Sequence, residues 1–147
     1  MKQFLILYYS RTGNTERMAK AVAEGAQTAG NVKVELSFHV EPEELSGFDA
    51  ILVGAPTYHH EMPLEFKNLF EEVAVKGLSL KGKVGAVFGS YGWSGEAPRL
   101  ILEIMRNKFE MQVVEPPLLA KYLPDQKMLS NCKDLGKRIS ENLMNRT

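Results

Sequence analysis

Cysteine is nearly missing from this chain. Cys132 is the only one in 147 residues, so no internal disulfide can form and neither a CxxC pair nor a multi-cysteine metal site can be built. Long hydrophobic runs are missing too: nothing approaches the roughly 18 apolar residues of a membrane span. The opening MKQFLILYYS has neither the extended apolar core nor the small-residue cleavage site of a secretory leader. An excess of charge of one sign is absent as well. Eighteen Lys and Arg balance eighteen Asp and Glu, with no long block of like charge, which removes the electrostatic footprint of nucleic-acid or anionic-membrane binding. Repeats, low-complexity segments and linkers are not found. These absences lead us to expect a soluble, cytoplasmic protein of one domain over residues 1–147, whose 44% apolar content suffices for a core.

What is present alternates between two periods. QFLILYY (3–9) is an almost unbroken apolar run, the pattern of a strand covered on both faces. From Asn14 to Ala29, Met18, Ala19, Val22, Ala23 and Ala26 recur at helical spacing, and Gly30 supplies a stop. VKVELSF (32–38) alternates apolar and polar residues, as an edge strand does, whereas DAILVG (49–54) and KVGAVFGS (83–90) are continuous and central. Phe66, Leu69, Phe70 and Val73 mark a second helix, and Leu100, Ile101, Ile104 and Met105 a third. MQVVEPPLLA (111–120) reads as a last strand interrupted by Pro116 and Pro117, which belong at an edge or bulge. A closing helix is opened by Asp125 as N-cap and carries Met128, Cys132, Leu135, Ile139 and Leu143 on one stripe. The alternation selects an α/β fold with helices on both faces of a five-stranded parallel sheet. Placing the alternating second strand and the proline-broken fifth at the margins gives the order 2-1-3-4-5.

In that order the winding reverses between strands 1 and 3, and ligands collect at the carboxyl ends beside such a switch point. Three loops meet there: SRTGNT (10–15), APTYHHEMP (55–63) and GSYGWSGEA (89–97). In the first, Ser10, Thr12 and Thr15 offer hydroxyls, Gly13 lets backbone approach a ligand, and the next helix points unpaired N–H groups at the same spot. Either a phosphate cradle or a hydroxyl-capped helix start fits these residues. The other loops carry Tyr58, Tyr91 and Trp93 beside glycines, a composition that suits a slot for a flat ring. Phosphate at one loop and a ring between the other two describe a mononucleotide.

Other chemistries of doubly wound sheets lack their residues here. A phosphorelay receiver needs clustered aspartates after its first strand, where this chain has Ser10 and Arg11. A low-molecular-weight tyrosine phosphatase needs a thiolate in its phosphate loop, and the only cysteine is in the last helix. Neither GxxxxGK[ST] nor GxGxxG occurs.

SRTGNT resembles the hydroxyl-rich phosphate loop of flavodoxins, and GAPTYHHEMP and GSYGWSGEA resemble the two loops that hold their flavin mononucleotide (FMN) ring. Over essentially the whole chain the resemblance is to short-chain flavodoxins, closest to the flavodoxin domain of flavodiiron (A-type) proteins. It implies a flavodoxin-like three-layer sandwich with FMN bound non-covalently. The phosphate would fall to Ser10, Arg11, Thr12, Gly13, Asn14 and Thr15. One side of the ring would be lined by Pro56, Thr57, Tyr58 and His59, and the other by Ser90, Tyr91, Gly92, Trp93 and Gly95. It also implies no acid–base catalytic residue, redox proteins as partners, and a monomer or weak dimer. The same fold leaves open an FMN-dependent NAD(P)H or quinone oxidoreductase, or a non-redox binding module.

Two departures stand out. His59 occupies a position where flavodoxins often have glycine, so a left-handed backbone there costs roughly 1 kcal/mol more. The zero net charge contrasts with acidic flavodoxins and leads to the expectation of a less negative second reduction potential. His59, His60 and Glu61 are not expected to bind metal, because adjacent histidines seldom converge on one ion. His39 is expected at an exposed strand end, Cys132 in packing, and Met62 either at the ring's rim or in the entry to the second helix.

Overall fold

The computed structural model describes residues 1–10, 13–57, 62–91 and 95–146. The apolar runs form strands β1 (Lys2–Tyr8), β2 (Val32–Ser37), β3 (Ala50–Gly54) and β4 (Val84–Tyr91). The periodic segments form helices α1 (Asn14–Thr28), α2 (Leu64–Val75), α3 (Glu96–Glu103) and α4 (Gln126–Met144). Two short strands, β5 (Gln112–Val113) and β6 (Leu118–Lys121), both pair with β4. The sheet is parallel and ordered β2-β1-β3-β4-β5, with β6 beside β4. The fifth strand is therefore two pieces, making six where the sequence predicts five. Val84 faces Gln112 while Phe88 faces Leu118, so residues 114–117 bulge opposite only two residues of β4. Pro116 and Pro117 have no N–H for the ladder and fall in that bulge.

The central strands are apolar throughout because both sheet faces are covered. Phe4, Ile6, Ala50, Leu52, Ala86 and Phe88 pack under α1 and α4, while Leu5, Leu7, Ile51, Val53 and Val87 pack under α2 and α3. Each large side chain buried this way contributes about 1.5–3 kcal/mol. α3 continues into a wider π turn over Ile104–Lys108. Leu100, expected on its apolar stripe, is 40% exposed, and Leu102 is buried in its place; the buried face runs through Pro98, Ile101, Leu102 and Met105. Asp125 caps α4 as expected, its carboxylate accepting the Met128 N–H at 2.8 Å. No helix among the described residues is long and apolar enough to cross a membrane.

α1 and α4 touch backbone to backbone. A Cβ at Gly25 would stand 1.9 Å from the Lys133 carbonyl oxygen, and one at Gly136 2.0 Å from that of Val22. The buried Ser140 hydroxyl closes the contact by donating to the Ala26 carbonyl at 2.9 Å. Cys132 lies in the same layer, fully buried, and burial pushes its thiol up to about 12.

Two predictions follow from this layer's packing. Gly25→Ala and Gly136→Ala each lower stability by about 1–3 kcal/mol, read as a lower urea midpoint at unchanged slope, although alanine favours helix. The second concerns pH. Because the folded thiol holds its proton more tightly than its ordinary value of 9.0, its contribution is intact below about pH 9 and is lost as pH rises through 12. Cys132→Ala therefore loses less stability than the parent over that window, by as much as ~4 kcal/mol, in urea melts run at stepped pH.

Candidate functional site

The reversal of winding between β1 and β3 sends α1 to one face and α2 to the other, which opens a crevice at the carboxyl ends of β1, β3 and β4. Backbone pairing extends into the loops: the N–H groups of Tyr9, Ala55 and Thr57 donate to the carbonyls of Gly54, Phe88 and Ser90 at 3.0, 2.9 and 3.3 Å. The loop bases are thus continuations of the sheet.

At the start of α1, the Ser10 hydroxyl accepts N–H groups from Gly13 at 3.0 Å and Glu16 at 3.3 Å. Gly13 has φ +92°, with nothing within 4 Å of the place a Cβ would take. An L side chain would be strained there, and the space beside the backbone is open. Asn14 and Thr15, in the first turn, have N–H groups with no acceptor inside the helix. This donor set is neutral, made of backbone N–H groups, hydroxyls and the positive end of a 15-residue helix, and it fits a phosphate.

Thr15 itself is only 1% exposed. Its hydroxyl meets the Ser90 hydroxyl at 3.1 Å and lies 3.4 Å from the Ser90 N–H, tying α1 to the end of β4. Thr57 bridges to Tyr91, and its hydroxyl accepts the Ala97 N–H at 3.1 Å, capping α3. Pro56 and Gly95 are buried and Tyr91 is half-buried; a Cβ on Gly95 would come within 2.8 Å of the Leu119 side chain. The fold therefore gathers Ser10, Gly13, Asn14, Thr15, Thr57, Ser90, Tyr91 and Gly95 at one mouth. Arg11, Thr12, Tyr58, His59, Gly92 and Trp93, with His60 and Glu61, lie outside the described residues.

A cavity of about 770 Å³ opens beside Ser10 and Gly13, with Tyr8, Tyr9, Glu16 and Phe38 among its walls. It reaches the helix start from the β2 side; none of the described residues read as ring contacts lines it. Met62, half-buried, packs against the core under α2 and α3. His39 is exposed at the end of β2, with Glu41 at 3.2 Å.

Two features of the mouth escaped the sequence reading. One is the segment after β6: Tyr122 is 62% exposed, has φ +57°, and donates its N–H to the Tyr91 carbonyl at 2.6 Å. Its signal in the sequence is only that it follows a strand neighbouring β4. The other is charge. α1, α2 and α3 each start at this edge and each carries a glutamate in its first turn, Glu16, Glu65 and Glu96, favoured there by the helix dipole. Each is answered within the same four residues by a base, Arg17, Lys67 and Arg99, so the helix starts carry both signs. Burial, then the charge and hydrogen bond of Glu16, raises the Tyr8 hydroxyl above its ordinary value.

The Thr15–Ser90 tie is measurable without any ligand. Thr15→Val and Ser90→Ala should each cost about 1 kcal/mol in urea melts, with a coupling of about 0.5–1.5 kcal/mol in the double-mutant cycle.

Comparison with known proteins agrees with this geometry. The flavodoxin family model matches residues 6–136. A type A flavoprotein of Rhodobacter capsulatus is 35% identical over 99% of this chain, which spans only about a third (34%) of that protein's length. The flavodoxin of Clostridium beijerinckii is 34% identical, with 92% of this chain and 97% of that protein covered. A solved flavodoxin from the domain Archaea superimposes with a TM-score of 0.88 at 39% identity, covering 97% of this chain and 99% of its own. Matched along its length by the family model and by relatives of its own size, the chain belongs to the flavodoxin family, whose members bind FMN and carry electrons.

Proposed function

We propose that residues 1–147 form one FMN-binding domain that passes electrons between redox proteins in the cytoplasm. The observation that carries this reading is the start of α1, where Gly13 leaves open space beside backbone donors and the Ser10 hydroxyl, next to the switch point. Ser10, Arg11, Thr12, Gly13, Asn14 and Thr15 would hold the phosphate, with Thr15 contributing its N–H, because its hydroxyl is engaged with Ser90. Pro56, Thr57, Tyr58 and His59 would flank the ring on one side, and Ser90, Tyr91, Gly92, Trp93 and Gly95 on the other.

FMN supplies the one- and two-electron chemistry when bound; the chain's part is to bind, orient and shield. The continuous pairing at 54–57 and 88–91 gives the ring loops rigid bases.

Titration with FMN and with riboflavin separates a phosphate cradle from a general flavin slot. FMN should bind tightly enough to survive dialysis, and riboflavin, lacking the phosphate, at least tenfold more weakly. Ser10→Ala should weaken FMN about tenfold and leave riboflavin unchanged, as loss of one hydrogen bond to a charged group costs about 1.5 kcal/mol. Equal affinity for the two flavins would overturn the cradle, and rapid reduction of the loaded protein by NAD(P)H alone would overturn the carrier role.

A further inference from the structure

We propose that the outer face of α2 is a two-fold contact between two copies of this chain. The inner face of α2 is conventional: Phe66, Phe70 and Val73 are buried in the core. Its outer face is not, since Leu64 is 63% and Val75 87% exposed. At about 100° per residue, Leu64, Glu71 and Val75 point within roughly 40° of one another, directly away from the core. Apolar side chains thus stand at both ends of the solvent face, with Lys67, Asn68, Glu71 and Glu72 exposed between them. Beside this face a groove of about 580 Å³ runs between α2 and α3, floored by Met62, Phe70, Leu100 and Ile104.

The order of residues selects the occupant. An interface about a two-fold axis must complement itself. Along α2 the outer stripe reads apolar, basic, acidic, apolar: Leu64, Lys67, Glu71, Val75. Laid antiparallel on its own copy about an axis near Leu69 and Phe70, this stripe sets each Leu64 against the other Val75 and each Lys67 against the other Glu71 and Glu72. Parallel stacking would pair like with like. Among the described residues, none of the ion pairs within the protomer uses Lys67 or Glu71, so both charges are available. The formal net charge of zero means that two copies meet no long-range repulsion.

The geometry has a functional consequence. α2 starts at the carboxyl edge of the sheet, so antiparallel helices turn the two mouths to opposite ends of the dimer. Each site keeps its own access to a partner, and neither contributes to the other. One 12-residue helix and a groove make a small interface, in the range of weak, transient association.

Sedimentation velocity from about 10 μM to 1 mM tests the proposal on the whole chain. The sedimentation coefficient should rise with concentration to that of a dimer and stop there. Leu64→Glu with Val75→Glu should leave a monomer at every concentration, with an unchanged circular dichroism spectrum because both positions are exposed. The decisive experiment uses opposite charge changes. Lys67→Glu, and Glu71→Lys together with Glu72→Lys, each set like charges together in a homodimer and should weaken it at least tenfold, while an equimolar mixture of the two variants should recover it, since every cross pair is again opposite in sign. A parent that stays monomeric at 1 mM, a dimer indifferent to Leu64→Glu with Val75→Glu, assembly beyond a dimer, or a mixture that fails to recover would each overturn the proposal.

Discussion

The position of α1 is fixed by direct contact of its backbone with that of α4. Gly25 against the Lys133 carbonyl and Gly136 against that of Val22 leave no room for even one methyl group. Ser140 adds a hydrogen bond to Ala26 where both residues are buried. Interhelical approach this close makes the layer rigid, because no side chain stands between the helices to repack. What depends on it is the start of α1, one end of an element anchored by its middle. Ser10, Gly13 and the first N–H groups of α1 stand at the crevice because α1 cannot slide along the sheet.

A second set of contacts couples that helix start to the rest of the mouth. Thr15 to Ser90 joins α1 to β4, Thr57 to Ala97 joins the end of β3 to α3, and Tyr122 to Tyr91 brings in the segment after β6. Three of the hydroxyl residues read as ligand contacts thus also act as structural ties. A buried hydroxyl must find a partner, and at this edge the nearest partners are the ends of neighbouring strands. Local preorganisation of a binding site and satisfaction of buried polar groups are here the same interactions.

Charge shows how topology places what composition only counts. Equal numbers of acids and bases suggest a mixed surface and argue for a less negative second potential. The fold puts the first-turn glutamates of α1, α2 and α3 at one edge, each with a base (Arg17, Lys67, Arg99) within the same four residues, because in a parallel sheet every helix that follows a strand starts at the strands' carboxyl ends. Each helix dipole favours a carboxylate in its first turn, and the topology gathers those turns around the mouth.

Local pattern fixes the alternation of strands and helices, their order in the sheet, the caps at Asp125 and Gly30, and the loop bases at Ser10, Thr57 and Tyr91 beside the switch point. These rest on periodicity and turn chemistry, which act over a few residues and are legible in them. Tertiary structure decided the rest. Helical spacing puts Leu100 on the apolar stripe of α3, but the fit of that helix against β4 turns Leu102 inward instead. Gly25 and Gly136, ordinary weak spots in a helical pattern, became the α1–α4 contact only because sheet topology brings those helices side by side. The tie made by the Thr15 hydroxyl and the fourth segment at Tyr122 are likewise invisible in local pattern. Each depends on which distant residue the fold sets opposite, and contact across 75 positions of chain leaves no trace in local pattern.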